Sequence, residues 1–186
     1  GIEYPGLVGI SLKLYDPKAE VWGLPSRIVL ESVVAHEVAH QWFYNVVGND
    51  QVDEPWLDEA LVQYITGLYY VDVQGQPGAR RYRESWVGSW ERVEWAEIPI
   101  GLPSRMYSEE AYSPIVYGRG PLFITALAET MGQAAFDAFL REYYQAYQWD
   151  IATGDAFRHL AEEHCRTYTE GDCDLTTLFE TWVYGE

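Results

Sequence analysis

The chain has 186 residues, of which 48% are apolar and 16% aromatic, so it can fold around one hydrophobic core. Its 12 basic and 29 acidic residues give a formal charge of −17, which disfavours nucleic acid as a partner because phosphate contacts need clusters of Lys and Arg. No apolar run of about 20 residues is present, so no membrane span is predicted in these residues.

The first third is predicted to combine a short β element with two helices. Residues 7–15 are β-prone and partly alternating, which predicts a strand, and residues 19–25 predict a loop. A helix is predicted from Ser26, which can cap its start, to Val47, with Gly48 as its C-terminal stop. Apolar residues cover most of its circumference, so we expect it to be buried on all sides. A second helix is predicted over 56–73.

The remainder is predicted to be mostly helical. The sequence QGQPG at 74–78 breaks the second helix, and a third is predicted over 79–95. Residues 98–114 contain three prolines and predict a long irregular connection, a kind of segment that is often functional. Further helices are predicted over 122–131, 134–147, 155–163 and 175–183. The predicted fold class is therefore mainly α, with a short β element at the N-terminus.

A five-residue pattern in the first predicted helix indicates a metal site. His36 and His40 are four residues apart, so their imidazoles leave the same face of a helix. Buried imidazoles need a partner, and a zinc ion is one. Glu37 flanks this face, close enough to take a proton from a water bound by the metal. The pattern H-E-x-x-H thus predicts a zinc site, against the alternative of a chance match with two solvated histidines.

Glu59 is the candidate for the third zinc ligand. Catalytic zinc needs three protein ligands and an open position. Glu59 follows His40 after eighteen intervening residues, near the start of the second predicted helix. The loop from Gly48 to Pro55 is long enough to reverse the chain and pack the second helix beside the first. We therefore predict one Zn²⁺ per chain, held by His36, His40 and Glu59.

Two cysteines leave the redox state open. Cys165 and Cys173 flank a Gly171-Asp172 turn that would let a disulfide close a small loop, which would point to an oxidising compartment. The alternative is a pair of free thiols. The sequence therefore assigns no compartment, cytoplasmic or extracellular.

Three motifs follow one another along the chain. Residues 1–6 are similar to the end of the motif G-x-M-E-N, with Ile2 and Tyr4 where Met and Asn are usual. The second motif is H-E-x-x-H with Glu59 in the sequence W-L-D-E, and the third is AYSPIVYGRG at 111–120. Together they resemble the aminopeptidase N family of zinc metallopeptidases, gluzincins that include leukotriene hydrolase. The resemblance covers most of residues 1–131.

The resemblance implies the helical part of a thermolysin-like (zincin) catalytic domain. Residues 1–186 would comprise an amine-binding motif and strand (1–16), zinc-site helices (26–73) and a helical remainder (79–186). The family's upstream sheet and β domain lie outside these residues, and downstream domains are left open. We therefore expect a fragment of a larger protein that is weakly active or inactive alone.

The resemblance also implies a function and its residues. The expected activity is a zinc aminopeptidase that cleaves the first peptide bond of a peptide substrate with a free N-terminus. Glu37 would be the general base, and Tyr117 the hydrogen-bond donor to the developing oxyanion. Glu3 would bind the substrate's α-ammonium. Tyr112 would be a second tyrosine near the cleft, and Glu109 would help to bind the amine.

Two alternatives stay open. A zinc endopeptidase of similar core is expected if Glu3 does not face the cleft. A non-catalytic zinc module that binds peptides is the other possibility, because the upstream part of the family's catalytic domain helps to build the cleft.

Overall fold

The computed structural model describes residues 1–169 and 173–185, which are mainly helical, as predicted. The α-helices are α1 (Ser26–Ala39), α2 (Trp56–Glu91), α3 (Glu109–Pro114), α4 (Gly120–Met131), α5 (Gln133–Tyr147), α6 (Gly154–Tyr168) and α7 (Thr176–Phe179). The strands are β1 (Ile2–Tyr4), β2 (Leu7–Gly9), β3 (Glu20–Val21), β4 (Leu24–Pro25), β5 (Val47–Gly48) and β6 (Asp150–Ile151). None of the described helices is both long and apolar enough to span a membrane.

A hairpin opens the chain, where the sequence predicts one strand over 7–15. Strand β1 pairs antiparallel with β2, and Glu3 lies opposite Val8. A Pro-Gly turn reverses the chain because Gly6 adopts a φ of 73°, which L side chains rarely adopt. Beyond β2 the prediction was wrong, because Leu12–Tyr15 forms a 3₁₀ helix that buries Leu14.

A second hairpin, β3–β4, occupies the segment that was expected to be a loop. Its turn residues Trp22 and Gly23 both have positive φ, 53° and 75°, the combination that suits a tight hairpin. The hairpin leads directly into α1. Ser26 is the first helical residue and not the cap that the sequence predicts, and its hydroxyl donates to the main-chain oxygen of Asp16 at 2.5 Å.

Helix α1 ends well before the predicted end at Val47. Beyond Ala39, the main-chain oxygen of His40 accepts hydrogen bonds from the main-chain and side-chain nitrogens of Asn45, at 3.0 and 3.1 Å. Tyr44 has a φ of 111°, which no helix contains. The apolar pattern continues through this turn, so the pattern alone could not indicate where the helix ends.

The expectation that α1 is buried on all sides was also wrong. Ile28, Val34 and Val38 are 46%, 37% and 41% exposed. Glu37 and His40, which are polar, are instead 5% and 1% exposed. The buried face of α1 is therefore the face that carries the predicted metal chemistry.

Helix α2 contains the predicted break. Gly75 leaves the helical conformation, with φ 67° and ψ −174°, and Pro77 follows it. The helical conformation resumes and ends at Glu91, earlier than the predicted Trp95. Glu94 and Trp95 have positive φ, which ends the helix.

The connection predicted to be irregular over 98–114 becomes helical at its end. Ser108 caps α3 by accepting a hydrogen bond from the main-chain nitrogen of Ala111 at 3.2 Å. A π-helical segment, Ile115–Arg119, then joins α3 to α4 without interruption. The predicted irregular structure was therefore wrong over α3, because the Ser cap and the acidic first turn start a helix there.

The remaining predicted helices correspond to α4, α5, α6 and the segment from Thr176 to Tyr184, of which the last part is π-helical. Strand β6 was not predicted. It pairs parallel with β5, so that Val47 lies opposite Asp150. This pair fixes the end of the turn after α1 to the connection between α5 and α6.

The core lies where α2, α4, α5 and α6 meet. Trp56, at the start of α2, is 1% exposed and makes edge-to-face contacts with Phe123 and Phe157 at 5.8 and 5.7 Å. Cys165 and Cys173 form a disulfide, with their Cα atoms 5.7 Å apart. The Gly-Asp turn predicted between them lies outside the described residues.

Candidate metal centre and active site

Helices α1 and α2 bring three potential ligands together. The Nε2 atoms of His36 and His40 lie 3.1 Å apart. Glu59 Oε2 lies 3.1 Å from His36 Nε2 and 3.3 Å from His40 Nε2. His40 is held by its other ring nitrogen, Nδ1, which is 3.1 Å from the main-chain oxygen of Phe43. The three donor atoms therefore form a compact triangle whose members come from α1, from the residue that directly follows it, and from α2.

The dimensions of this triangle fit a tetrahedral zinc ion. Ligands at about 2.0–2.1 Å from zinc lie about 3.3–3.4 Å from one another in a tetrahedral arrangement. The three observed separations are 3.1, 3.1 and 3.3 Å. Two imidazoles and one carboxylate are also ligands that zinc prefers. The residues present therefore fit this metal.

The electrostatics of the triangle favour a positive charge at its centre. Burial opposes the charged form of His40, but the hydrogen bond and negative charge of Glu59 outweigh burial and raise the pKa of His40 to about 9. Burial likewise opposes ionisation of Glu59, but the two histidines hold the pKa of its carboxyl well below its usual range. His40 therefore keeps its proton at a position where a metal cation would fit.

Glu37 lies beside the triangle, and one of its oxygens is not engaged. Its Oε1 atom is 3.5 Å from the nitrogen of Gly1, whereas its Oε2 atom is buried and has no hydrogen-bond partner among the described residues. Gly1 packs so closely that a Cβ added there would lie 2.4 Å from Glu37 Oε1. A buried carboxylate with a vacant acceptor oxygen is suited to accept a proton.

Tyr117 contacts the triangle from a segment that is distant from both zinc-site helices in sequence. It lies in the π-helical segment, a type of structure that is frequent at functional sites. Its hydroxyl donates to Glu59 Oε1 at 2.6 Å, and its ring lies 6.1 Å from that of His36. Burial and the Glu59 carboxylate raise the pKa of Tyr117, so the phenol keeps its proton and acts as a donor. The ring of Tyr112 lies 6.2 Å from that of Tyr117.

The two predicted amine-binding glutamates have different surroundings. Glu3 is half-buried, and its Oε1 atom accepts a hydrogen bond from Gln51 at 2.9 Å. Its carboxylate also lies close to His40 and Asp58, with one ligand atom of each residue within 4.8 Å of the others. Glu109 is exposed on the first turn of α3, and its side chain forms no hydrogen bond or ion pair with another described residue.

Three polar residues at the site had no role in the sequence prediction. Asp58 is 2% exposed, and its two oxygens accept hydrogen bonds from Asn49 at 3.1 Å and Gln51 at 2.8 Å. Burial and the neighbouring Glu59 charge raise the pKa of Asp58. In the sequence, Asp58 directly precedes the predicted ligand Glu59, and this adjacency could have indicated a role at the site. Asn49 and Gln51 belong to a polar loop without a pattern, and no feature of the sequence separates them from surface residues.

Comparison with known proteins decides the family. Residues 10–182 match the family model described as the peptidase family M1 domain. The chain belongs to peptidase family M1. The M1 chain is 26% identical over 165 residues to leucine aminopeptidase 2 of Neosartorya fischeri, which covers 82% of this chain and 26% of that protein. It is also 26% identical to aminopeptidase N of Lactococcus lactis, over 98% of this chain and 24% of that protein.

Solved structures show the same fold. A mutant M1 zinc metallopeptidase from Deinococcus radiodurans, bound to a Tyr-Ser-Ala substrate, has a TM-score of 0.61 and 27% identity, covering 80% of the M1 chain and 34% of that chain. Leukotriene A4 hydrolase from Saccharomyces cerevisiae has a TM-score of 0.62 at 22% identity, and the match covers 82% of the M1 chain and 26% of that chain. The predicted resemblance in fold is confirmed. The M1 chain spans about a quarter of the length of the curated relatives it matches.

Proposed function

We propose that this chain carries the zinc site and catalytic residues of an aminopeptidase that removes the first residue from peptides. The observation that carries the proposal is the triangle of His36, His40 and Glu59, whose 3.1–3.3 Å edges suit one tetrahedral metal ion. Membership of the M1 family and relatives named aminopeptidases support the same activity.

His36, His40 and Glu59 would hold zinc through their Nε2, Nε2 and Oε2 atoms. When bound, zinc supplies a Lewis acid that polarises a carbonyl group and makes water more acidic. A catalytic zinc ion keeps one position open beside its three protein ligands, and the substrate would approach there. Tyr117 lies at the same site, since its hydroxyl donates a hydrogen bond to Glu59 Oε1.

Glu37 would be the residue that moves protons. Its vacant Oε2 accepts a proton from the attacking water, and the same oxygen then passes the proton to the leaving amine. Burial at 5% exposure keeps bulk water from competing for this oxygen.

Tyr117 and Glu3 would position the substrate. The Tyr117 phenol donates a hydrogen bond to the oxyanion that develops on the scissile carbonyl, after turning from Glu59. Glu3 accepts the substrate's α-ammonium, which limits cleavage to the first peptide bond. Tyr112 packs edge-to-face on Tyr117 and would support its ring. Glu109 stays a weaker candidate for amine binding, since it lies exposed on α3.

The test combines metal content with turnover. The full natural protein, loaded with zinc, is expected to hydrolyse leucine p-nitroanilide and to leave the N-acetylated substrate intact. Glu37→Gln should retain one zinc per chain but lose about 10²–10⁴-fold in turnover, because a general base is removed. Glu31→Gln on the same helix is the matched control and should keep full activity, since among the described residues the Glu31 side chain bonds only Tyr69 and Gln74.

Two results would contradict the proposal. Equal cleavage of free and acetylated substrates would identify an endopeptidase. Zinc binding without turnover in the parent protein would identify a non-catalytic module.

A further inference from the structure

The Glu3 side chain is held by a single glutamine. Gln51 Nε2 donates to Glu3 Oε1 at 2.9 Å and to Asp58 Oδ2 at 2.8 Å. A side-chain amide nitrogen carries two hydrogens, so these two bonds use both of them. Gln51 therefore joins the strand that carries Glu3 to the helix that carries the ligand Glu59.

The two ends of this bridge differ in rigidity. Asp58 is almost completely buried in the first turn of α2, and its Oδ1 atom is fixed by Asn49 at 3.1 Å. Glu3 lies on a three-residue strand of a two-stranded sheet, and a hairpin of this size is marginally stable by itself. Asp58 is thus the rigid end of this bridge, and Gln51 fixes the position of Glu3 relative to Asp58.

The neutral amide is the appropriate group for this bridge. Glu3 and Asp58 are both acids near His40, so two carboxylates would repel each other without a donor between them. A Lys or Arg would relieve the repulsion but would also neutralise Glu3 and compete with a substrate ammonium. Gln51 supplies donors without adding charge, and Glu3 Oε2 has no hydrogen-bond partner among the described residues.

We propose that Gln51 is a positioning residue that sets the orientation of Glu3 for binding the α-ammonium of the first substrate residue. The inference rests on the aminopeptidase function proposed above. It assigns Gln51 a role in substrate binding and none in the chemical step, because Gln51 contacts neither Glu37 nor the metal triangle in any hydrogen bond of the described residues.

The first experiment separates binding from chemistry in the zinc-loaded full natural protein. Gln51→Met keeps the length of the side chain and removes both donors. For leucine p-nitroanilide, we expect KM to rise about tenfold with kcat changed less than about twofold, since tenfold is about 1.4 kcal/mol, a size expected for one hydrogen bond to a charged group. Gln148→Met is the matched control, because Gln148 is exposed and its side chain bonds only the main-chain oxygen of Gln145 among the residues that the structure describes.

The second experiment tests whether Gln51 acts through Glu3. Glu3→Gln should raise KM by itself, and adding Gln51→Met to it should cause no further rise. A full additional rise in the double variant would show that Gln51 acts by another route, and would overturn the proposal. An unchanged KM in Gln51→Met would overturn it too. If Gln51→Met does not fold, Gln51→Asn replaces it, because its shorter amide cannot reach both carboxylates.

A binding measurement distinguishes failure of this inference from failure of the proposed function. In the Glu37→Gln background, calorimetry compares leucinamide with N-acetyl-leucinamide. We expect Gln51→Met to weaken the binding of leucinamide about tenfold and to leave the acetylated compound unchanged. An inactive parent that still shows this pattern would refute the aminopeptidase function and keep the role of Gln51. A parent that binds both compounds equally would refute both.

Discussion

Arg119 offers a quantitative test of how the fold supports the site. Arg119 is 2% exposed, and its guanidinium donates to the main-chain oxygens of Ile98, Thr181 and Trp182, at 2.9, 3.2 and 2.9 Å. It also lies over the rings of Trp90 and Trp182, at 5.6 and 4.7 Å. Arg119 ends the π-helical segment that carries the candidate oxyanion donor and ties that segment to the C-terminal part of the chain.

Replacing Arg119 by Met removes all three hydrogen bonds and keeps part of the packing. At about 1–1.5 kcal/mol net for each bond, the loss is about 3–4.5 kcal/mol in the free energy of unfolding. Removing a desolvated charge offsets some of this loss, so we expect a net decrease of about 2–4 kcal/mol. For a domain of this size, that lowers Tm by about 4–16 °C. Arg105→Met, which breaks an exposed ion pair with Asp53, should change stability by less than about 1 kcal/mol.

Urea titration followed by far-UV circular dichroism measures the free energy of unfolding of both variants. The two values are compared at equal m-value. Arg119→Lys should fall between the parent and Arg119→Met, because one ammonium cannot reach all three carbonyls. The reasoning is refuted if Arg119→Met and Arg105→Met lose the same small amount. In that case the buried guanidinium would contribute no more than a surface charge.

Three further predictions concern the metal, pH and the disulfide. Zinc at 100 times its Kd should stabilise the protein by about 2.7 kcal/mol, and calorimetry should show this gain lost with EDTA or in His40→Ala. Burial raises the pKa of Glu54, so its contribution to stability is present below the usual pKa and is lost as pH rises through the raised value. Glu54→Gln, which keeps an acceptor for the Gly154 nitrogen, should therefore be more stable than the parent at pH 7 and no more stable at pH 4 in urea titrations. Replacing both Cys165 and Cys173 by Ser opens a loop with a sequence separation of 8 and should lower the unfolding free energy by about 2.5 kcal/mol, and a loss near zero in urea would contradict this estimate.

Local spacing predicted those parts of the site that lie on regular helices. Because a helix repeats every 3.6 residues, His36 and His40 had to share a face, and their ring nitrogens lie 3.1 Å apart. Glu59 needed only a reversal of the chain to reach them. The roles of these residues as zinc ligands stay predictions until metal is measured.

Other features depend on contacts that are distant in sequence and could not be predicted. The role proposed for Gln51 depends on the β1–β2 hairpin, which brings Glu3 beside it. The end of α1 depends on Asn45 turning back to His40, whereas the apolar pattern continues past that point. Apolar periodicity indicates which face of a helix is buried only if the packing neighbours are known, which is why the exposure of Val34 and Val38 was missed.

The parallel pairing of β5 with β6 has a consequence for biosynthesis. Val47 lies opposite Asp150, more than half of the chain's length later, and the main-chain nitrogen of Ala152 donates to the oxygen of Gly48 at 2.8 Å. The turn that follows His40 therefore cannot form this pairing until Asp150 and Ala152 have emerged from the ribosome. During translation, both histidines are made well before the segment that pairs with this turn, and loop closure over such a sequence separation is slow.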